Sequence, residues 1–222
     1  MKSDKILFID TETGGLDPIK NSLLSIAFIV WQEFKIVDTK EILINDGVLN
    51  VTEYALQING INIEEHKKVA IKPPESINEL DHFLSIYFTP DEKITLGGHN
   101  INFDVNFLRQ FLSENNYSFN KRFSHRYVDT ATILYYLYLS GKIEQKALSS
   151  QEAFEFFGIS LDNRHTALGD AIATAKLFSI LLKKIYKNVK IRTLDNRNLP
   201  NLFEQELQIP LHPSNVYILV HI

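Results

Sequence analysis

A chain of 222 residues, 45% hydrophobic and 23% charged, is long enough to bury a full core, so one domain with a modest extension is expected. The absence of cysteine excludes disulfides, thiolate metal ligands and a cysteine nucleophile, leaving oxygen and nitrogen as metal donors. No apolar run approaches the roughly 20 residues that span a bilayer, and Met1-Lys2-Ser3-Asp4-Lys5 lacks a signal peptide's apolar stretch, so no membrane partner and a cytoplasmic location are expected.

Lys5 to Asp10 is a short run of β-formers that meets turn residues at Thr13-Gly14-Gly15-Leu16-Asp17-Pro18, which predicts a strand and a loop. Leu23 to Trp31 is nearly continuous apolar, as in a central strand, and Ile36 to Ile44 ends at Asn45-Asp46-Gly47. A three-stranded meander fits this opening. Helical periodicity follows at Val51 to Ile58 and Ile77 to Phe88, and Lys93-Ile94-Thr95-Leu96 predicts a fourth strand running into Gly97-Gly98-His99-Asn100. Phe103 to Leu112 then reads as a helix, Arg126-Tyr127-Val128 as a short strand, and Thr130 to Leu139, Ser149 to Phe157 and Thr166 to Ile185 as helices. Strands first and alternation afterwards predict an α/β fold with helices packed on a mixed sheet. After about Lys187 the sequence becomes Asn- and Pro-punctuated, which places the domain over residues 1–188 and an extension over 189–222.

Acidic residues mark the ends of several of these elements. Asp10 and Glu12 close the first strand two residues apart, so their carboxylates project to one face and can share an ion. The glycines Gly14 and Gly15 that follow let backbone approach a ligand closely. A solvated strand end reads the same way when this pair is taken alone. Asp104 follows Gly97-Gly98-His99-Asn100-Ile101-Asn102-Phe103 at the start of a helix, where it is either a third site carboxylate or a helix N-cap. Asp170 lies five residues after His165, about 140° around a helix, so the two do not share a helical face. His165 belongs to the loop before the helix, as a cap, a surface residue or a group free to reach a substrate.

Together the segments Phe8-Ile9-Asp10-Thr11-Glu12-Thr13-Gly14-Gly15-Leu16, Gly98-His99-Asn100-Ile101-Asn102-Phe103-Asp104 and His165 through Asp170 resemble the three motifs of the DEDDh exonucleases. This is the DnaQ-like family of the DNA polymerase III epsilon subunit, RNase T and oligoribonuclease. The resemblance covers roughly residues 5 to 187, with Tyr127-Val128-Asp129-Thr130 and Ile58-Asn59-Gly60-Ile61 also fitting, and Gly14 standing where relatives often carry a hydroxyl residue. It implies an RNase H-like mixed five-stranded sheet, a meander plus parallel strands, flanked by helices. It implies a 3′-to-5′ exonuclease that releases nucleoside monophosphates from single-stranded nucleic acid through two divalent ions, Mg²⁺ or Mn²⁺, which suit hard carboxylate ligands. By the same resemblance Asp10 would bridge both ions, Glu12 and Asp170 would complete one site, Asp104 would support the other, and His165 would be the general base. Thr13, Gly14, Leu16, His99 and Asn100 would hold the terminal nucleotide, and Asp129 would be structural.

DNA is favoured over RNA as substrate, with a DNA polymerase or repair complex as partner. An acidic site facing a more basic flank agrees with the charge distribution, 10 basic against 18 acidic residues over 1–119 and 13 against 9 over 120–222; solvated surface charge is the plainer account. Three rival functions stay open: an RNA-trimming exoribonuclease of the same fold, a metal-dependent phosphatase, and a non-catalytic nucleic-acid-binding module. Leu199 to Ile222 is similar to the linker and first strand of UvrC-type GIY-YIG endonucleases, which predicts a fused C-terminal nuclease domain. A strand docked on the sheet edge and a sliding-clamp-binding peptide at Glu206 to Leu211 are the alternatives.

Overall fold

The first three apolar runs form β1 (Ile6–Thr13), β2 (Leu23–Gln32) and β3 (Lys35–Leu43), an antiparallel meander. In the computed structural model of the chain, residues 4–146, 149–160, 166–188, 190–192 and 219–221 are described. Three helices follow the meander: α1 (Glu53–Asn59), capped by Thr52 and stopped by left-handed Gly60; α2 (Ile63–Val69), capped by Asn62; and α3 (Pro73–Tyr87), begun by prolines. The chain then enters β4 (Ile94–Gly98), α4 (Asn102–Glu114), α5 (Phe119–Arg122), β5 (Phe123–Asp129), α6 (Thr130–Leu139), α7 (Ser150–Phe156) and α8 (Ala167–Asn188). The five strands lie in the order β3-β2-β1-β4-β5, with β4 parallel to both β1 and β5, so the expected mixed sheet is present. Helices α2, of seven residues, and α5, of four, are additions to the elements expected from the sequence.

Strand alternation divides the core. Leu7 and Ile9 of β1, with Ile26, Phe28 and Val30 of β2, join Phe83 and Leu84 of α3 and Val105 and Leu108 of α4 in one apolar cluster. The opposite face of β1 presents Phe8, Asp10 and Glu12. There Phe178 of α8 packs its ring 5.3 Å from Phe8 and 5.0 Å from Trp31, while the Trp31 indole N–H donates to Ser179 Oγ at 2.7 Å. This aromatic contact fixes α8, and therefore Asp170 in its first turn, over the acidic end of β1.

The chain divides into two units, residues 1–180 and 181–222. The second holds a two-stranded antiparallel sheet of β6 (Lys190–Arg192) and β7 (Leu219–His221). Strand β7 thus pairs with β6 inside the second unit. The sliding-clamp alternative at Glu206 to Leu211 and most of the linker lie outside the described residues.

Phe178→Ala is expected to cost about 3–5 kcal/mol of unfolding free energy by leaving a cavity between Phe8 and Trp31. Denaturant unfolding measures it, and a loss within about 0.5 kcal/mol, as at an exposed position, would contradict this packing.

Candidate active site

Strand β1 continues past Asp10 and Glu12 to Thr13, so both acids sit within the strand and not at its end. Its pairing with β4 is confined to Ile6, Leu7 and Phe8, which leaves that flank of β1 open beside the two carboxylates. The side chain of Asp104 reaches this flank from α4. It lies in the first turn of α4 and is buried, and its Oδ1 accepts from Thr11 Oγ1 at 2.8 Å. Asp104 is thus not the N-cap that its position also allowed; Ile101 occupies that place without a side-chain bond. Asp170 is half-buried in the first turn of α8. Sheet, α4 and α8 thereby bring four carboxylates from three distant segments into electrostatic reach of one another. His165 lies outside the described residues.

This crowding raises proton affinity. Burial pushes the Asp10 carboxyl well above the ordinary carboxylate range, and Asp104, Asp170 and Glu12 push it further by like-charge repulsion. Burial, followed by Asp170, Asp104 and Glu41, pushes Glu12 up to about 8. Burial pushes Asp104 up to about 7, against the stabilising hydrogen bond from Thr11. Glu41 had not been singled out in the sequence; burial raises it too, while the backbone N–H of Leu168 donates to it and draws it down.

Four oxygen-donor carboxylates match hard divalent ions, and a cation would relieve the repulsion that raises their proton affinity. Among the described residues, no three acidic or imidazole side chains stand close enough together to hold an ion as they are.

A cleft of about 670 Å³ opens beside Glu12. Thr11, Thr13, Leu16 and Phe103 line it together with Tyr54, Ile58 and Asn59 of α1, a wall the sequence motifs did not reveal. Leu16, Tyr54 and Ile58 are exposed at its margin. Other expected substrate contacts are engaged in the protein. Thr13 Oγ1 donates to the Gly15 carbonyl, the Thr13 carbonyl accepts from Asn59, Gly14 N–H donates to the Ser22 carbonyl, and the Gly14 carbonyl accepts from Thr52 N–H. A side chain at Gly14 would meet the Asn50 carbonyl at 2.1 Å, so the turn as folded here has no room for one. His99 Nδ1 lies 3.0 Å from Thr130 Oγ1, and Asn100, at φ 57°, donates its N–H to Asp129. Asp129 also accepts from Ala131 N–H and Thr132 Oγ1, the work of a helix N-cap.

The raised proton affinities set a direction for stability. In ion-free solution the folded site holds protons up to about pH 7 at Asp104 and about pH 8 at Glu12. In the unfolded chain the same groups ionise near pH 4. Between these limits the folded state binds more protons, so stability is greatest at the acidic end of the window and falls as pH rises toward about 8. Thermal melting should show this fall, Glu12→Gln should flatten its upper part, and Mg²⁺ should offset it. A melting midpoint that rises through the window would contradict the described crowding.

The exonuclease family profile (RNase_T) matches residues 7–178. The chain is 30% identical to ribonuclease T of Wigglesworthia glossinidia brevipalpis over 187 residues, 79% of this chain and 83% of that protein. It is 27% identical to the PolC-type DNA polymerase III of Caldanaerobacter subterraneus subsp. tengcongensis over 218 residues, 97% of this chain and only 14% of the polymerase. Among solved structures, E. coli exonuclease I in complex with a dA16 oligonucleotide superposes with a TM-score of 0.70 at 17% identity, covering 83% of this chain and 42% of that one. With the fold, the acidic cluster and a family match over most of its length in agreement, the chain belongs to the DEDDh exonucleases, a family of phosphodiester hydrolases.

Proposed function

We propose that the chain removes nucleoside monophosphates one at a time from the 3′ end of single-stranded nucleic acid, with DNA as the favoured substrate. The observation that carries this reading is the juxtaposition of the four carboxylates with the adjoining cleft. Its volume suits a small ligand of nucleotide size. Leu16, Tyr54 and Ile58 at its margin offer apolar and aromatic surface on which terminal bases stack without sequence readout.

In this reading Asp10, Glu12, Asp104 and Asp170 would hold two divalent ions, Mg²⁺ or Mn²⁺, the other three acids all acting electrostatically on Asp10. Bound there, the ions would supply charge neutralisation at the phosphate, an activated water and a stabilised leaving oxygen. His165, assigned by its place in the third motif, takes the proton from the attacking water. The Thr13–Gly15 turn, tied to Ser22, Thr52 and Asn59, gives the cleft a fixed floor, and the His99–Thr130 and Asn100–Asp129 bonds hold the loop that leads to Asp104. Residues 1–188 form the catalytic domain and 189–222 an extension to it. The PolC similarity supports work beside a DNA polymerase, and a cytoplasmic site agrees with the lack, among the described residues, of a helix long and apolar enough to cross a membrane. The ribonuclease T similarity favours RNA as the alternative substrate.

Parallel digestion of end-labelled single-stranded DNA, duplex DNA and short RNA with Mg²⁺ or Mn²⁺ tests the proposal. Stepwise loss of mononucleotides from the 3′ end, fastest on single-stranded DNA, is expected; faster RNA trimming would transfer the assignment to RNA, and release of free phosphate alone would overturn it. Asp10→Ala, Glu12→Ala, Asp104→Ala and Asp170→Ala should each lower turnover on the order of 100-fold or more while the fold melts no earlier. Near-normal turnover would remove that residue from the site. His165→Ala should lose about 10²–10⁴-fold in rate yet keep its affinity for Mn²⁺ and oligonucleotide. Loss of metal affinity as large as in Asp10→Ala would make His165 a ligand instead.

A further inference from the structure

At its acidic end β1 uses its two faces differently. Alternation turns Asp10 and Glu12 to one face and leaves Thr11 between them on the other, the face of Leu7 and Ile9. Helix α4 packs on that second face, its Val105 and Leu108 joining Leu7 and Ile9 in the apolar cluster. Asp104, the residue before Val105, therefore starts on the Thr11 side of the strand. It reaches Asp10 around the flank of β1 where pairing with β4 has ended at Phe8.

A hydrogen bond marks this crossing. Thr11 Oγ1 donates to Asp104 Oδ1 at 2.8 Å, with Thr11 only 8% and Asp104 only 4% exposed. Both ends are shielded from water, so removing the hydroxyl leaves a buried acceptor short of a donor. A hydroxyl that donates to a carboxylate makes one of the stronger neutral-donor bonds in a protein, and the branched threonine side chain is stiff enough to present it in one direction. The neighbours on this face do other work: Ile9 belongs to the core, and Thr13 Oγ1 donates to the Gly15 carbonyl.

The sheet does not require a threonine here. Valine suits a strand equally well and would continue the apolar face of Leu7 and Ile9 without burying a hydroxyl. Holding Asp104 in place also adds to the repulsion on Asp10, since after burial itself Asp104 is the first of the acids that raise its proton affinity. A bond that keeps like charges together calls for a reason outside local stability.

We propose that Thr11 is a positioning residue whose hydroxyl sets where the Asp104 carboxylate stands relative to Asp10, and so how tightly the acidic cluster takes a divalent cation. The inference rests on the exonuclease reading above for its effect on catalysis, but the positioning of Asp104 is independent of that reading. Thr11 also lines the cleft beside Glu12, so direct contact with nucleic acid is the competing role. The two roles move different constants: positioning changes metal affinity and kcat, whereas a uniform substrate contact changes KM.

The test compares the full chain with Thr11→Val, Thr11→Ser, Asp104→Ala and the double variant that joins Thr11→Val to Asp104→Ala. Calorimetric titration of Mn²⁺ into the metal-free protein, without nucleic acid, gives the affinity; kcat and KM are measured on a single-stranded DNA oligonucleotide at saturating Mn²⁺. Valine keeps the branched shape without the hydroxyl, and serine keeps the hydroxyl without the branch. In Thr11→Val the Mn²⁺ affinity should weaken about tenfold and kcat should fall about tenfold, with KM changed by less than about twofold. Thr11→Ser should restore both to within about threefold of the parent chain. In the Asp104→Ala background the valine substitution should alter Mn²⁺ affinity by less than about twofold, because Thr11 acts through Asp104. Unchanged Mn²⁺ affinity in Thr11→Val would overturn the proposal, and so would a tighter one, since the bond would then hold Asp104 away from the ion. A serine variant as impaired as the valine variant, a valine effect equally large without Asp104, or a loss confined to KM would overturn it as well. A kcat unchanged at saturating Mn²⁺ would overturn the role in catalysis. Should the valine chain not fold, Thr11→Ala carries the same expectations and the same overturning results. If the parent chain cleaved no nucleic acid, the exonuclease reading would fail, and the Mn²⁺ titration would still decide the role of Thr11.

Discussion

Carboxylates crowded behind protein walls repel one another, and the rest of this structure serves to hold them together against that repulsion. Asp10 experiences it most, because burial and three neighbouring acids all favour its protonated form. A fold minimising only its own energy would disperse these groups. Here the sheet core on one face, and the Phe8, Trp31 and Phe178 rings on the other, press α4 and α8 onto β1 and oblige the acids to meet. Stability is spent to keep these carboxylates together.

The arrangement follows from strand alternation. The residues of β1 facing α3 and α4 are apolar up to Thr11, which holds Asp104, while those facing α8 change from Phe8 to Asp10 and Glu12 at the point where pairing with β4 ends. One strand thereby anchors two helices at its start and presents its acids, beside an unpaired flank, at its end. Asp104 arrives from one side and Asp170 from the other. The cleft beyond Glu12 is closed by α1, whose Asn59 is bonded to the Thr13 carbonyl, so that wall is fixed to the same strand that carries the carboxylates.

Much of this was legible in the sequence where the signal was local. The apolar runs of β1 and β2 declared the strands, and the three acidic segments declared the family because each lies within a short, ordered motif. Relations made by pairing were not legible. Nothing in the spacing of Glu41 shows that it falls in register with Asp10 through Ala27, and nothing in Asp104 shows that Thr11 holds it inside α4 with Ile101 at the cap. Tyr54 and Ile58 reach the cleft through the packing of α1, which a helical period predicts as a helix but not as a wall. The backbone of Gly14 is bonded to Ser22 and Thr52, a pairing that the Gly-Gly spacing does not reveal.

If the crowded acids are the metal-binding centre, ion binding must displace the protons that crowding retains. Calorimetric titration of Mn²⁺ into the metal-free protein near pH 7, repeated in buffers of different ionisation enthalpy, measures that displacement directly. The account predicts binding of two ions accompanied by net proton release, with the release diminished in Glu12→Gln. Binding without proton release, or no binding at all, would contradict it.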